Sequence, residues 1–220
     1  MTLRREFLTA VLAVVIFTIT LGFVYPMLVT GVSQGLFPGK ANGSLIKRNG
    51  GIVGSALIGQ QFYENVIGKN GKPVTVKGVV QTQPDPRYFQ SRPSATVPPD
   101  NAAGSAFSNY GPNDKVTLAF FQGNIAAYLQ LEKPYDPGLT VAKLPVDAIN
   151  SSASGIDPDI SVANADIQAH RIAAVRKLPL ATVDGLIATY TTSRSLGFLG
   201  EPGVNVLELN LALDRLTGSR

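Results

Sequence analysis

The sequence predicts an α+β extramembrane domain behind a single N-terminal transmembrane helix. Three observations carry this reading: an uncharged run from Phe7 to Thr30, short apolar segments bounded by glycines in the stretch after it, and capped helical patterns towards the C-terminus.

The run is 24 residues long and follows Arg4, Arg5 and Glu6. At about 1.5 Å per residue it makes a helix of roughly 36 Å, enough to cross a hydrocarbon core of about 30 Å with some tilt. A cleaved secretory signal has a shorter apolar region, typically about 7 to 15 residues, and small residues at its exit. Here the exit reads Gly22-Phe23-Val24-Tyr25-Pro26-Met27, so an uncleaved anchor is expected. No basic residue follows the run until Lys40, and the positive-inside bias therefore puts residues 1–6 in the cytoplasm, the span at 7–30 and an extracytoplasmic domain at 31–220. Tyr25 suits the outer interface, and Pro26 is expected to end or bend the helix there. Thr18 and Gly22 form a small-x-x-x-small pair that lets another helix approach.

Residues 31–220 carry 17 Lys and Arg against 14 Asp and Glu. Only Lys47-Arg48 and Arg176-Lys177 are adjacent basic pairs there, so no nucleic-acid or anionic-lipid patch is expected. The chain has no Cys, which excludes disulfides and thiolate metal sites. Its single histidine, His170, excludes a multi-histidine metal centre and reads as a surface residue on a helix.

Beyond the run, Gly31 to Gly51 reads as a connector, with Pro38 breaking any continuing helix. Ile52 to Ile58 is an apolar segment between glycines and predicts a buried strand. Valines among polar residues from Lys72 to Val80, after the turn Gly68 to Gly71, predict an exposed hairpin within a surface segment at 63–87. Gln83 to Arg87 is extended or turned, because a residue before proline avoids the helical region. A loop is expected from Arg92 to Pro112. Asn113 stands as the cap of a helix reaching Lys133-Pro134, with Val116, Phe120, Phe121, Asn124, Tyr128 and Leu131 at helical spacing. Ser151 to Pro158 is a small-residue loop. Ser161 caps a helix to about Lys177, Thr182 caps a second after Pro179, and Asn205 caps a third in which Val206, Leu209, Leu213 and Leu216 share a stripe.

Catalytic motifs are missing. The nearest approach to a phosphate-binding loop, Gly35-Leu36-Phe37-Pro38-Gly39-Lys40-Ala41, is one residue short and lacks the hydroxyl that would meet Mg²⁺. An aspartyl-phosphate motif is absent. A serine hydrolase would need His170 with a distant serine such as Ser154, without a nucleophile elbow. Asp157 and Asp159, around Pro158, suit either a hard-cation chelate or an Asx turn ahead of Ser161.

Several segments resemble, in order, the C subunit family of the Kdp potassium-transporting P-type ATPase. They are Tyr25-Pro26 leading to Phe37-Pro38, Ala41 to Ile46, Gly54 to Gln60 with Phe62, Tyr88 to Ala95, and Ser108 to Asn113. Ser152 to Pro158 with Ile160-Ser161, Gln168 with Arg171, Leu199 to Pro202, and Val204 to Asp214 complete the series. The resemblance spans nearly the whole chain. It departs from the family pattern in a longer stretch from Tyr63 to Arg87 and in Gly203, where the family often has a larger, sometimes basic residue.

What the resemblance implies is a non-catalytic accessory subunit, in a bacterial inner membrane, of a complex that couples ATP hydrolysis to potassium uptake. Its implied partners are an ion-carrying subunit that handles the potassium, an ATP-hydrolysing subunit and a small membrane subunit. The family is described as a catalytic chaperone that raises ATP affinity and is labelled nucleotide-binding, so ATP is the one cofactor implied. An external domain would not meet cytosolic ATP, and the charge argument is preferred over that label. The candidate partner- or nucleotide-binding residues are Ser91, Arg92 and Ser94 in one loop, Ser152, Ser154 and Asp157 in a second, and Gln168 with Arg171 on a helix. For Arg92, internal salt bridging and docking are both open.

Overall fold

A computed structural model describes residues 3–218 except Val97, Phe107, Ser108, Tyr110 and Pro112. Three residues of the motif from Ser108 to Asn113 thus lie outside the described residues. The architecture is an α+β domain with one long apolar helix ahead of it, and the chain divides into two units, Met1–Ser55 and Ala56–Arg220.

In the first unit, α1 (Leu3–Ile19), a π-helical turn (Thr20–Val24) and α2 (Tyr25–Leu36) run on as one helix. Its 34 residues give a rod of about 51 Å, and none of its side chains is buried. Of the two outcomes expected at Pro26, an end or a bend, the end does not occur. The proline ring crowds the carbonyl four residues back, that of Gly22, and has no N–H to donate. The turn ahead of it widens instead, so the Tyr25 N–H bonds to the Thr20 carbonyl five residues back. A Cβ on Gly22 would meet only Thr18 Cγ2, at 4.0 Å, which leaves that side of the rod open.

The stretch expected as a bare connector is structured. The Phe37 N–H bonds to the Ser33 carbonyl at 2.8 Å, and α3 (Pro38–Ala41) makes one more helical turn. The Gln34 and Asn42 side-chain amides then pair in both directions, at 3.1 and 3.0 Å, across that corner. Strands β1 (Leu45–Arg48) and β2 (Gly51–Ser55) follow as an antiparallel hairpin. Asn49 and Gly50, at φ 50° and 80°, make its tight turn. The expectation of a buried strand from Ile52 to Ile58 is therefore corrected: Ile52 is 61 % exposed and the strand ends at Ser55.

In the second unit, β3 (Tyr63–Asn65) pairs with β6 (Thr82–Pro84), and β4 (Thr75–Val76) with β5 (Val79–Val80), all antiparallel. The last pair turns at Lys77-Gly78 and is exposed on both strands, as its valines among polar residues predict. The apolar core lies elsewhere, around a three-stranded sheet ordered β7 (Asp159–Ser161), β9 (Gly203–Asn205), β8 (Thr191–Thr192). Phe89, Ile160, Ile172, Val183, Ile187, Val204, Leu209 and Leu213 meet there with at most 2 % exposure each. A side chain of this kind contributes about 1.5–3 kcal/mol by leaving water.

Helices supply most of that core. Helix α4 (Lys115–Glu132) is capped by Asp114, whose carboxylate accepts the Val116 N–H at 2.6 Å, one residue later than the expected Asn113. Helix α5 (Val162–Arg176) is capped by Ser161, which accepts the Asn164 N–H at 3.1 Å, and ends at Lys177 in the left-handed region. Helix α6 (Leu180–Thr189) starts behind Pro179 without a side-chain cap, so Thr182 lies inside its first turn rather than capping it. Asn205 caps α7 (Val206–Thr217) by accepting the Glu208 N–H at 3.1 Å. Val206, Leu209 and Leu213 of its stripe are buried, whereas Leu216 in the last turn is 55 % exposed.

Candidate docking loops and the buried polar network

The two candidate loops are laced to each other. Ser94 Oγ donates to the Gly155 carbonyl at 2.6 Å and accepts the backbone N–H of Asp100 at 2.9 Å and of Thr96 at 3.2 Å. From the opposite loop, the Ser154 carbonyl accepts the Ala106 N–H at 3.0 Å and the Ser105 hydroxyl at 2.9 Å. The approach is close enough to require glycine. Gly155 has φ 72°, and a Cβ there would stand 2.3 Å from the Ala106 carbonyl oxygen.

The remaining loop residues serve the same closure. Arg92 Nη1 meets Asp157 Oδ2 at 3.0 Å, and its Nη2 donates to the Ser151 carbonyl. Arg92 is thus an internal tie between the loops, in a partly solvated pair that contributes at most about 1 kcal/mol. Ser91 Oγ donates to the Gln60 carbonyl at 3.1 Å, bringing a third segment in. Ser152 Oγ accepts the Gly155 N–H and Ser154 Oγ the Ile156 N–H, turns that the small residues allow. Asp157 Oδ1 accepts the Asp159 N–H at 3.1 Å, so around Pro158 the Asx turn is what forms. Among the described residues no group of three or more His, Asp or Glu side chains is placed to hold a metal.

Gln168 and Arg171 lie apart from these loops, in the interior, with 1 % and 0 % exposure. The Arg171 guanidinium gives Nε to both oxygens of Glu132, at 3.0 and 3.1 Å, Nη1 to the carbonyls of Pro86 and Tyr88, and Nη2 to Gln168 Oε1. Gln168 in turn accepts the Gln90 N–H at 2.7 Å and donates to the Gln90 carbonyl at 3.1 Å. Burial pushes the Glu132 carboxyl above its ordinary range, and the Arg171 charge works against that shift. Their donors and acceptors are spent on the protein's own groups, and their work is to fasten α4, α5 and the segment from Pro86 to Gln90.

Sequence reasoning missed Asn210, Glu132 and Asn164. Asn210 sits among the buried leucines of α7, and a polar side chain on an apolar helix stripe is the signal that would have found it. Tyr128 bonds to Asn164 at 2.7 Å, and burial followed by the Glu132 charge drives its hydroxyl far above the usual tyrosine range. Burial also pushes Asp100 up to about 6, partly offset by the hydrogen bond from Gln61. Gly203 faces Asp159: a Cβ there would lie 3.2 Å from Asp159 Oδ2, so a larger residue would need that carboxylate to give way.

A cleft of about 230 Å³ runs beside these loops, between Phe120, Asn124 and Tyr128 of α4 and the segment from Gln90 to Ser94. No nucleophile and base stand together in the places the sequence singled out. Ser154 Oγ contacts Ser152 Oγ and the Ile156 N–H, while His170 is exposed on α5.

A family model described as K+-transporting ATPase, c chain, matches residues 7–215. The chain is 45 % identical to the potassium-transporting ATPase KdpC subunit of Methylococcus capsulatus over 213 residues, covering 96 % of this chain and 98 % of that one. It is 42 % identical to the subunit of the same name from Streptomyces coelicolor, over 96 % of this chain and 93 % of that one. With the Herpetosiphon aurantiacus subunit of that name the identity is 43 %, over 97 % and 98 %.

Proposed function

Because this chain belongs to the KdpC family of potassium-transporting ATPase subunits, we propose that it is a non-catalytic accessory subunit that anchors in the membrane and holds the pump together. The apolar helix inserts with Arg4 and Arg5 on the cytoplasmic side, and the domain from Ala56 onward docks outside on the ion-carrying subunit. It raises the ATP affinity of the hydrolysing subunit through the assembled complex and does not itself touch nucleotide.

One observation carries this reading. Gln168 and Arg171, the polar side chains nearest to a nucleotide-binding role, are sealed inside the fold with their hydrogen bonds already made. A phosphate or base would have to displace Glu132 or the backbone of Gln90 to reach them. The laced loops likewise leave a firm surface suited to docking.

Labelling of Ser105→Cys on intact cells with a membrane-impermeant thiol reagent tests the topology, because Ser105 is exposed and the chain has no other cysteine. Reaction on intact cells is expected. Protection until the membrane is opened would overturn the arrangement. Mild-detergent purification through a tag on this chain tests the rest: it should bring the larger pump subunits with it, and a chain that purifies alone would end the accessory reading.

A further inference from the structure

The cleft beside the laced loops is lined by residues whose hydrogen bonding the fold leaves incomplete. Among the described residues, Gln90 Oε1 and Arg92 Nε are buried side-chain atoms without a hydrogen-bond partner, and both residues line that cleft. The Gln90 amide cannot be turned over to cure this, because its Nε2 donates to the carbonyls of Phe62, Asp85 and Tyr88 at 2.9, 3.0 and 3.2 Å. Its oxygen is therefore the orphan, in a residue that is only 8 % exposed. Arg92 gives Nη1 to Asp157 Oδ2 and Nη2 to the Ser151 carbonyl, which leaves Nε over and the guanidinium charge already matched. Native folds seldom leave a buried acceptor or donor unpaired without a use for it.

We propose that the cleft is a binding site for a small uncharged molecule whose head both donates and accepts a hydrogen bond, as a carboxamide does, on a flat apolar body. The head follows from the unpaired atoms: Gln90 Oε1 needs a donor and Arg92 Nε needs an acceptor. A phosphate or a carboxylate brings acceptors alone, so it leaves the Gln90 oxygen unserved, and the Arg92 charge that would attract it is held by Asp157. The body follows from the walls, where Phe120 and Tyr128 of α4 stand with Pro93 and Pro99. Apolar and aromatic walls with a few convergent polar groups are the usual make-up of a small-molecule site. The size follows from the volume of about 230 Å³, which lies below the roughly 300–1,000 Å³ of drug-sized sites and so suits a single ring with its head group. This ligand is additional to the partners of the accessory role and does not depend on them.

Benzamide, benzoate and N,N-dimethylbenzamide, titrated into the isotope-labelled full chain in detergent micelles, test the site. Benzamide carries both functions, whereas benzoate and the dimethyl amide keep the ring and the acceptor but lose the donor. Saturable shifts of the backbone amide signals of Gln90, Arg92 and Asn124 are expected with benzamide, at about tenfold lower concentration than with either analogue. Equal responses to all three probes would overturn the proposal, and so would no response to benzamide. Ala127, exposed on α4 in the cleft wall, supplies the second arm. Ala127→Leu adds bulk to that wall and leaves Gln90 and Arg92 in place, so circular dichroism should match the wild type while the benzamide response is lost. An undiminished response in this variant would place the binding in the micelle or elsewhere on the chain and overturn the site. The comparison of probes uses the wild-type chain, and it decides the matter even where Ala127→Leu fails to fold.

Discussion

Gln168 on α5 and Asn210 on α7 clamp neighbouring backbone positions of one loop, each in both directions. Asn210 accepts the Phe89 N–H and donates to the Phe89 carbonyl, both at 2.9 Å, while Gln168 does the same for Gln90 at 2.7 and 3.1 Å. Two side-chain amides thus do what a neighbouring strand does in a sheet, and they pin Phe89 where its ring fills the core.

Asn210→Leu keeps the volume of the side chain but strands a buried N–H and a buried carbonyl. At about 1–3 kcal/mol for each unsatisfied group, a loss of about 2–6 kcal/mol is expected. Hydrogen exchange at the Phe89 amide should accelerate with it. Unchanged exchange at that amide would show that the clamp is not what protects it.

The Arg171–Glu132 pair makes a second prediction. Lysine carries a compact charge and cannot reach Glu132, two carbonyls and Gln168 together, so Arg171→Lys should cost about 1–3 kcal/mol for each buried acceptor left without its donor, despite keeping the charge. Replacing both partners, as in Arg171→Met with Glu132→Leu, should cost clearly less than the sum of the single changes. Denaturant unfolding followed by tyrosine fluorescence measures both, since the chain has no tryptophan. Additive losses would count against a coupled pair.

Two glycines should respond oppositely to alanine. Gly155→Ala would drive a Cβ to within 2.3 Å of the Ala106 carbonyl oxygen from a positive φ, and a loss of about 2 kcal/mol or more is expected. Gly185, inside α6, has nothing within 4 Å of its would-be Cβ. Gly185→Ala should stabilise the chain by about 0.5–1 kcal/mol. Thermal melting of both variants decides the matter, and equal effects would contradict the geometry.

Asp100 gives the pH dependence. Its carboxyl is raised from 3.8 to about 6 by burial, so the folded chain keeps that proton to higher pH than the unfolded chain does. Its contribution to stability is therefore complete below 3.8 and is lost as pH rises through about 6. Asp100→Asn, neutral throughout, should melt increasingly higher than wild type as the buffer goes from pH 4 to pH 7. A difference independent of pH would exclude this residue as the cause.

Local chemistry was the legible part of this fold. Ser161 and Asn205 announce their helices because a cap is a signal contained within four residues, and the valines near Gly78 announce their hairpin in the same way. The core sheet was hidden, since its strands are two or three residues long and an alternating pattern needs more length than that. Ile52 misled because apolar character reports a tendency to be covered, whereas a two-stranded hairpin has no layer of its own to cover it. Gln168 and Arg171 could be singled out, but their work depends on Pro86, Tyr88 and Gln90, about 80 residues away in the chain, and no local spacing encodes such a partnership.

The widened turn at Thr20–Val24 holds one residue more than an α-helical turn would, and each residue advances a helix by about 100°. Side chains before Thr20 and after Tyr25 are consequently out of rotational phase. A neighbouring helix that tracks one seam along α1 meets a different seam along α2, so the rod offers its surroundings two separate lines of contact where a straight helix would offer one.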